Sequence, residues 1–141
     1  MDILLADDQP QVRSALRLIL EQNDGINVTG ECSHLEELVE TINAAHADLI
    51  LLDWELPGLE NGEHKKESQA YRLEITAIDE IKSRNPGIKV IALSGRPEAR
   101  QAAMDGRADA FVSKADPPET LQAVLDEMLN HSAESQEHAQ P

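Results

Sequence analysis

The amino-acid sequence predicts an α/β protein built on a doubly wound, five-stranded parallel sheet. The first observation is that four short apolar runs lack the polar–apolar alternation of a half-exposed strand; they span residues 3–6, 49–52, 90–93 and 110–112. Such runs are typical of strands buried on both faces of a parallel sheet that helices cover. The second observation is that amphipathic segments follow these strands, which gives a strand–helix unit five times. Right-handed crossovers then predict a doubly wound sheet.

The first two strand–helix units occupy the N-terminal third of the chain. After the strand at residues 3–6, Pro10 fits a first helical turn, and an apolar stripe follows at Val12, Ala15, Leu16 and Ile19. A weaker strand, Ile26 to Glu31, is expected near an edge of the sheet because its polar residues alternate with apolar or small ones. Ser33 and Glu36 have the spacing of a capping box. The helix predicted behind them has apolar residues at Leu35, Leu38, Val39 and Ile42.

Three further units complete the predicted sheet. The third helix is indicated by an apolar stripe at Leu73, Ala77, Ile78 and Ile81. It is expected to end at Asn85, where Pro86 and Gly87 follow. A fourth helix near residues 98–104 has a mostly alanine face. Asp116 is placed to cap the last helix, whose apolar face is Leu121, Val124, Leu125 and Met128.

The domain organisation is expected to be simple. The 141 residues suit one domain with one core, which we assign to residues 1–130. Residues 131–141 lack apolar anchors and are predicted to be a polar, disordered tail. Residues 63–69 are charged, and we expect a mobile loop there. We expect no fused output domain in this chain.

Composition restricts the compartment and the partners. The net charge of −15 disfavours contact with nucleic acid phosphates or an anionic membrane, so we expect neither direct DNA binding nor membrane binding. A single cysteine, Cys32, cannot form an internal disulfide, which favours the reducing cytoplasm. Aromatic residues make up only 2% of the chain, so the core must be aliphatic.

Polar residues follow four of the predicted strands where each one ends. They are Asp7 and Asp8 after the first strand, Asp53 after the third, Ser94 after the fourth and Lys114 after the fifth. The carboxyl ends of parallel strands meet at one edge, which is where open α/β sheets bind ligands. Three carboxylates there require a cation, and an all-oxygen donor set favours Mg²⁺ or a similarly hard ion such as Mn²⁺. A carboxylate can also attack phosphorus to form an acyl phosphate.

These motifs together resemble the receiver domain of two-component response regulators. They are the segments at residues 3–10, 51–58, 91–95 and 108–114, and the resemblance extends from about Met1 to Leu129. It implies a (βα)₅ flavodoxin-like fold and a switch that is controlled by phosphorylation. Such a chain would not be an enzyme, except that it would catalyse its own phosphorylation and dephosphorylation. The implied phosphoryl donors are sensor histidine kinases or phosphotransfer proteins, and the implied output passes to a protein partner.

The resemblance also implies roles for individual residues. Asp53 would be the phosphoacceptor, and it would also ligate Mg²⁺. Asp8 would be a direct ligand, Asp7 would act mainly through water, and the backbone carbonyl of Glu55 would be a further ligand. Two residues would bind the phosphoryl group, Ser94 and Lys114. Phe111 would be an aromatic switch that turns inward when Ser94 moves.

Three departures from the family pattern stand out. About a dozen extra residues separate Gly62 from the end of the third helix. Ala115 follows Lys114 where the family commonly has proline. Arg107 occupies the usual glycine position, so we expect the left-handed residue of that turn at Gly106 instead.

Two other functions compete with a phosphorylated receiver. One is a pseudo-receiver, an interaction module that signals without phosphate; the retained Asp8, Asp53, Ser94 and Lys114 argue against it. The other is a haloacid-dehalogenase-like phosphohydrolase. Members of that family carry an Asp-x-Asp motif after their first strand, whereas here Asp53 and Glu55 follow the third strand.

Overall fold

The fold is a five-stranded parallel sheet covered by helices on both faces, as the sequence predicts. The computed structural model describes residues 1–59 and 77–139. The strands are β1 (Asp2–Ala6), β2 (Asn27–Cys32), β3 (Leu49–Asp53), β4 (Lys89–Ser94) and β5 (Ala110–Ser113). Their order in the sheet is β2-β1-β3-β4-β5, and every neighbouring pair is parallel. This is the flavodoxin-like order, and β2 lies at the edge.

Within residues 1–59 and 77–139, five helices connect these strands or follow them. They are α1 (Pro10–Glu21), α2 (Leu35–Ala44), α3 (helical over residues 77–84), α4 (Arg100–Asp105) and α5 (Pro118–Ala139). A short 3₁₀ turn, Pro97–Ala99, leads into α4. The predicted beginning of the third helix at Leu73 and the charged residues 63–69 lie outside the described residues.

The core lies on both sides of the sheet, because successive strand side chains point to opposite faces. On one face, Ile3, Leu5 and Leu51 pack against α1 and α5. On the other, Leu4 and Leu52 pack against α2, α3 and α4. The core is almost wholly aliphatic, as the composition predicts, and the two buried aromatic side chains of the described residues lie on the second face: Trp54 and Phe111. Among the described residues, no helix is long and apolar enough to cross a membrane.

Two local predictions about the helix beginnings and ends need correction. The side chain that reaches back to Ser33 belongs to Glu37 and not to Glu36: its Oε1 accepts from the Ser33 amide at 3.0 Å and from the Ser33 hydroxyl at 2.7 Å. The helical backbone of α5 continues to Ala139, where the sequence predicts a disordered tail beyond residue 130. Alanine, glutamate and glutamine there are good helix formers, and extending an existing helix avoids a new nucleation step.

The turn after α4 is a third correction, because its left-handed residue is Arg107, with φ 73°, and not Gly106. The amide of Arg107 donates to the Met104 carbonyl at 3.1 Å, and the amide of Ala108 donates to that of Ala103 at 3.1 Å. This bond pair is a Schellman motif, in which the residue after the helix cap must be left-handed. The two hydrogen bonds and the burial of Ala103 and Ala108 fix the register of this turn, so its left-handed position falls on Arg107.

Candidate functional site

The residues predicted from the strand ends meet at one edge of the sheet. Strand pairing aligns Ala6 with Leu52 and Asp53 with Leu93, so the residues that follow these strands emerge side by side. Asp7 and Asp53 are each 1% exposed. Residues of such polarity are rarely buried unless partners compensate them.

Lys114 lies between the two buried carboxylates. Its Nζ is 2.8 Å from Asp7 Oδ2 and 3.2 Å from Asp53 Oδ1. The Lys114 amide also donates to the Ser94 carbonyl at 2.8 Å, which fixes the backbone of this loop to β4. The ammonium is therefore placed to neutralise negative charge that develops on Asp53.

Burial dominates the electrostatics of Asp53. Desolvation raises the pKa of its carboxyl to about 6, and the Asp7 charge adds to this rise. The Glu55 amide, which donates to Asp53 Oδ1 at 3.0 Å, and the Lys114 ammonium work in the opposite direction. Burial also tends to lower the pKa of Lys114, but its ion pairs with the two aspartates outweigh that tendency and raise it. The carboxylate is thus ionised at neutral pH, and burying it in this charged form lowers the stability of the folded protein.

Asp8 completes an acidic cluster that fits a divalent metal. Unlike its neighbours, Asp8 is exposed, and oxygen atoms of Asp7, Asp8 and Asp53 all lie within 4.8 Å of one another. Asp7 Oδ2 is buried, and its close polar contact among the described residues is the ion pair with the Lys114 ammonium, 2.8 Å away. A buried oxygen with a free lone pair and two further carboxylates form the donor set that a hard cation prefers.

Comparison with known proteins assigns the family. The family model of the response regulator receiver domain matches residues 3–126. The chain belongs to the response regulator receiver family. Receiver domains are signalling domains and not classical enzymes, and they bind Mg²⁺ in an acidic pocket of the kind formed here.

Individual relatives agree with this assignment. The nitrate/nitrite response regulator protein NarL of Escherichia coli (strain K12) is 31% identical over 125 residues, which is 87% of this chain and 52% of NarL. The transcriptional regulatory protein RcsB of Salmonella typhi is 29% identical over 127 residues, 89% of this chain and 54% of RcsB. The receiver domain of RcsB from Escherichia coli, solved without phosphorylation, has a TM-score of 0.75 at 28% identity, covering 93% of this chain and 94% of that one.

These relatives overturn the prediction about partners, which excluded direct DNA binding. RcsB of Salmonella enterica serovar Typhimurium has been solved bound to promoter rprA; that structure has a TM-score of 0.76 at 27% identity, over 92% of this chain and 61% of RcsB. This receiver spans about half the length of the curated relatives it matches. The net charge of −15 counts only these 141 residues, so it carries no information about the rest of a longer regulator.

Ser94 and Glu55 of this receiver form a contact that the sequence does not reveal. Ser94 is fully buried, and its hydroxyl donates to Glu55 Oε2 at 2.8 Å. The Arg96 guanidinium donates to the same carboxylate oxygen at 3.2 Å. The sequence assigned Glu55 a role only for its backbone carbonyl. Its side chain depends on the turn after β3, and no spacing rule predicts that geometry.

Arg13 is a second residue of the receiver that the sequence did not single out. Its guanidinium donates to the Asp7 carbonyl at 2.6 Å and to Glu31 Oε1 at 3.0 Å. Arg17 also pairs with Glu31. The hydrogen bonds from the two arginines lower the pKa of the Glu31 carboxyl, and the bond from Arg17 has the larger effect. Arg13 of α1 thus ties the β1–α1 loop, which carries Asp7, to β2.

The predicted switch residue, Phe111, lies inward in this structure. It is 6% exposed and packs in the core on the α4 face. The Arg100 guanidinium lies 5.0 Å from the centroid of its ring, within the range of a cation–π interaction. A movement of Phe111 relative to α4 would therefore break this contact.

Proposed function

We propose that this receiver accepts a phosphoryl group on Asp53 from the phosphohistidine of a kinase or phosphotransfer protein. One observation carries the proposal: a buried aspartate at a strand end lies within 3.2 Å of a lysine ammonium and beside two further carboxylates. The buried setting excludes bulk water, and the lysine faces the position where negative charge develops. The reaction takes place in the cytoplasm, where a free thiol such as that of Cys32 stays reduced.

The transfer is a displacement at phosphorus. A carboxylate oxygen of Asp53 attacks, the new O–P bond forms, the P–N bond of the donor breaks, and its electron pair goes to the imidazole nitrogen. The pKa of about 6 leaves Asp53 ionised at neutral pH, as a nucleophile must be. Lys114 stabilises the charge on the phosphoryl oxygens, and the Glu55 amide orients the Asp53 carboxylate by donating to its Oδ1.

Mg²⁺ would be held by Asp8 and Asp53, by Asp7 directly or through water, and by the Glu55 backbone carbonyl. When bound, it would neutralise charge on the phosphoryl oxygens. The two buried aspartates then gain the compensating charge that one lysine supplies only in part.

The conformational output is proposed to pass through Ser94 and Phe111. A phosphoryl oxygen on Asp53 would accept a hydrogen bond from the Ser94 hydroxyl, and the resulting shift of β4 would alter the packing of Phe111 against α4. Differential interaction of the phosphoryl group with the two arrangements is what shifts their populations.

Intact-mass spectrometry after incubation with acetyl phosphate and Mg²⁺ tests the phosphorylation. We expect one added phosphoryl group on the wild type and none on Asp53→Asn. Asp24→Asn, a change at an exposed carboxylate, is the matched control and should be labelled like the wild type. Labelling of Asp53→Asn at the wild-type rate would move the acceptor to another residue.

A further inference from the structure

The Ser94 hydroxyl has one hydrogen, and among the described residues it has one acceptor. The side chain is 0% exposed, so no bulk water reaches it. The amide of Arg96 donates to Ser94 Oγ at 3.0 Å and occupies a lone pair of that oxygen. The hydrogen is directed at Glu55 Oε2, 2.8 Å away. A hydroxyl can donate only once, so a bond to Glu55 excludes a bond to any other acceptor.

Glu55 is itself held in position. Its side chain is 30% exposed, and Arg96 Nη2 lies 3.2 Å from the same Oε2 that receives the Ser94 hydrogen. The Glu55 backbone cannot follow a moving side chain, because its amide is bonded to Asp53 Oδ1 at 3.0 Å. The carboxylate therefore reaches over the end of β4 from a fixed anchor beside the phosphoacceptor.

We propose that Glu55 is a positioning residue that holds the Ser94 hydroxyl away from the phosphoryl site and so opposes activation. This inference rests on the proposed phosphorylation of Asp53. The Glu55 carboxylate and a phosphoryl group on Asp53 are both anionic acceptors, and they compete for one hydrogen. Activation then requires the Glu55 side chain to release Ser94, and Arg96 sets how readily it does so.

Beryllofluoride, the phosphomimetic present in solved RcsB structures, gives a direct test. Its affinity for the Mg²⁺-loaded receiver is measured by NMR titration for the wild type, Glu55→Ala and Glu55→Gln. Loss of a hydrogen bond to a charged acceptor is worth roughly a factor of ten, about 1.4 kcal/mol, in an equilibrium. We expect Glu55→Ala to bind beryllofluoride about tenfold more tightly. Glu55→Gln, which still accepts but without charge, should gain less.

Two controls separate this role from a simple effect of charge. Glu98→Gln removes one negative charge from the exposed turn after β4, and it should change the affinity less than about twofold. In a Ser94→Ala background, Glu55→Ala should lose most of its tenfold gain, because no hydroxyl remains to be released. An equal gain with and without the Ser94 hydroxyl would overturn the proposal and leave only electrostatic repulsion.

The Ser94 hydroxyl proton supplies a measurement that does not depend on phosphorylation. In the wild type, this buried and hydrogen-bonded proton should exchange slowly enough with water to be observed by NMR, and Glu55→Ala should remove its signal. A hydroxyl signal that is unchanged in Glu55→Ala would overturn the proposal, whatever the result of the beryllofluoride titration. Absence of both beryllofluoride binding and acetyl phosphate labelling in the wild type, with the hydroxyl signal behaving as expected, would refute the proposed function; the hydrogen bond from Ser94 to Glu55 would then stand, but its role in activation would fall.

Discussion

Replacing Asp53 with asparagine is expected to stabilise the metal-free receiver. Burial and the nearby Asp7 raise the pKa of the Asp53 carboxyl from 3.8 to about 6, so the ionised form is disfavoured in the folded protein. The folded state holds a proton between these two pH values that the unfolded chain has already released. Stability therefore falls as pH rises from about 4 to about 6, and the loss is complete above that range.

The magnitude follows from the same pKa values. The difference between 3.8 and about 6, at about 1.36 kcal/mol per pH unit, corresponds to roughly 3 kcal/mol at neutral pH. This difference already includes the attraction of Lys114, which also acts on the carboxylate. Asparagine keeps the shape of the side chain and an oxygen that can accept from the Glu55 amide. We expect Asp53→Asn to raise the free energy of unfolding by about 1–3 kcal/mol.

Urea denaturation at pH 7.5 and at pH 4, with EDTA present, measures this difference. The variant should be more stable at pH 7.5 and similar to the wild type at pH 4, where both side chains are neutral. Asp24→Asn, at an exposed carboxylate, controls for the change in net charge. An Asp53→Asn variant that is less stable than the wild type at pH 7.5 would show that Lys114 fully compensates the buried charge.

Three further predictions concern other parts of the receiver. Arg107→Gly should raise the melting temperature by a few degrees. Glycine adopts the left-handed conformation without the strain of about 1 kcal/mol that arginine has there, and this gain outweighs the loss of the exposed ion pair with Asp79. A lower melting temperature would contradict this. Burial raises the pKa of the Cys32 thiol to about 12, so iodoacetamide should label it at pH 8 only after unfolding, and rapid labelling of the native protein would show that the thiol is accessible. Emission of the buried Trp54, beside Asp53, should change on addition of millimolar Mg²⁺ and respond less in Asp8→Ala; a flat response while calorimetry detects binding would place the ion elsewhere.

The sequence predicts the fold and the cluster at the strand ends for the same physical reason. Strands with four consecutive apolar residues, such as 49–52, are stable only between two helical layers, which fixes a parallel sheet. In that sheet the residue after each strand reaches the same edge, so Asp7, Asp53 and Lys114 converge whatever the details of the loops. Hydrophobic periodicity alone is sufficient for this part of the site.

Contacts that depend on a side-chain rotamer or on a single turn are not predictable in this way. Ser33 selects Glu37 over Glu36 because α2 begins one residue later than the capping pattern implies. Arg107 takes the left-handed conformation because two hydrogen bonds and buried alanines outweigh its local preference. The bond from Ser94 to Glu55 depends on the turn after β3, which has no spacing signature.

The proposed Mg²⁺ site would connect the energetic cost of burying the Asp53 carboxylate with its proposed phosphorylation. A ligand that binds only the folded state stabilises it by about 2.7 kcal/mol at one hundred times its Kd, close to the cost assigned to the buried carboxylate. Saturating Mg²⁺ should therefore raise the stability of the wild type towards that of Asp53→Asn, which has lost one ligand oxygen and should respond less. If Mg²⁺ left the wild type as unstable as EDTA does, the acidic cluster would not be the metal site. If both proteins gained equally, Asp53 would not be among its ligands, and its burial would need another explanation.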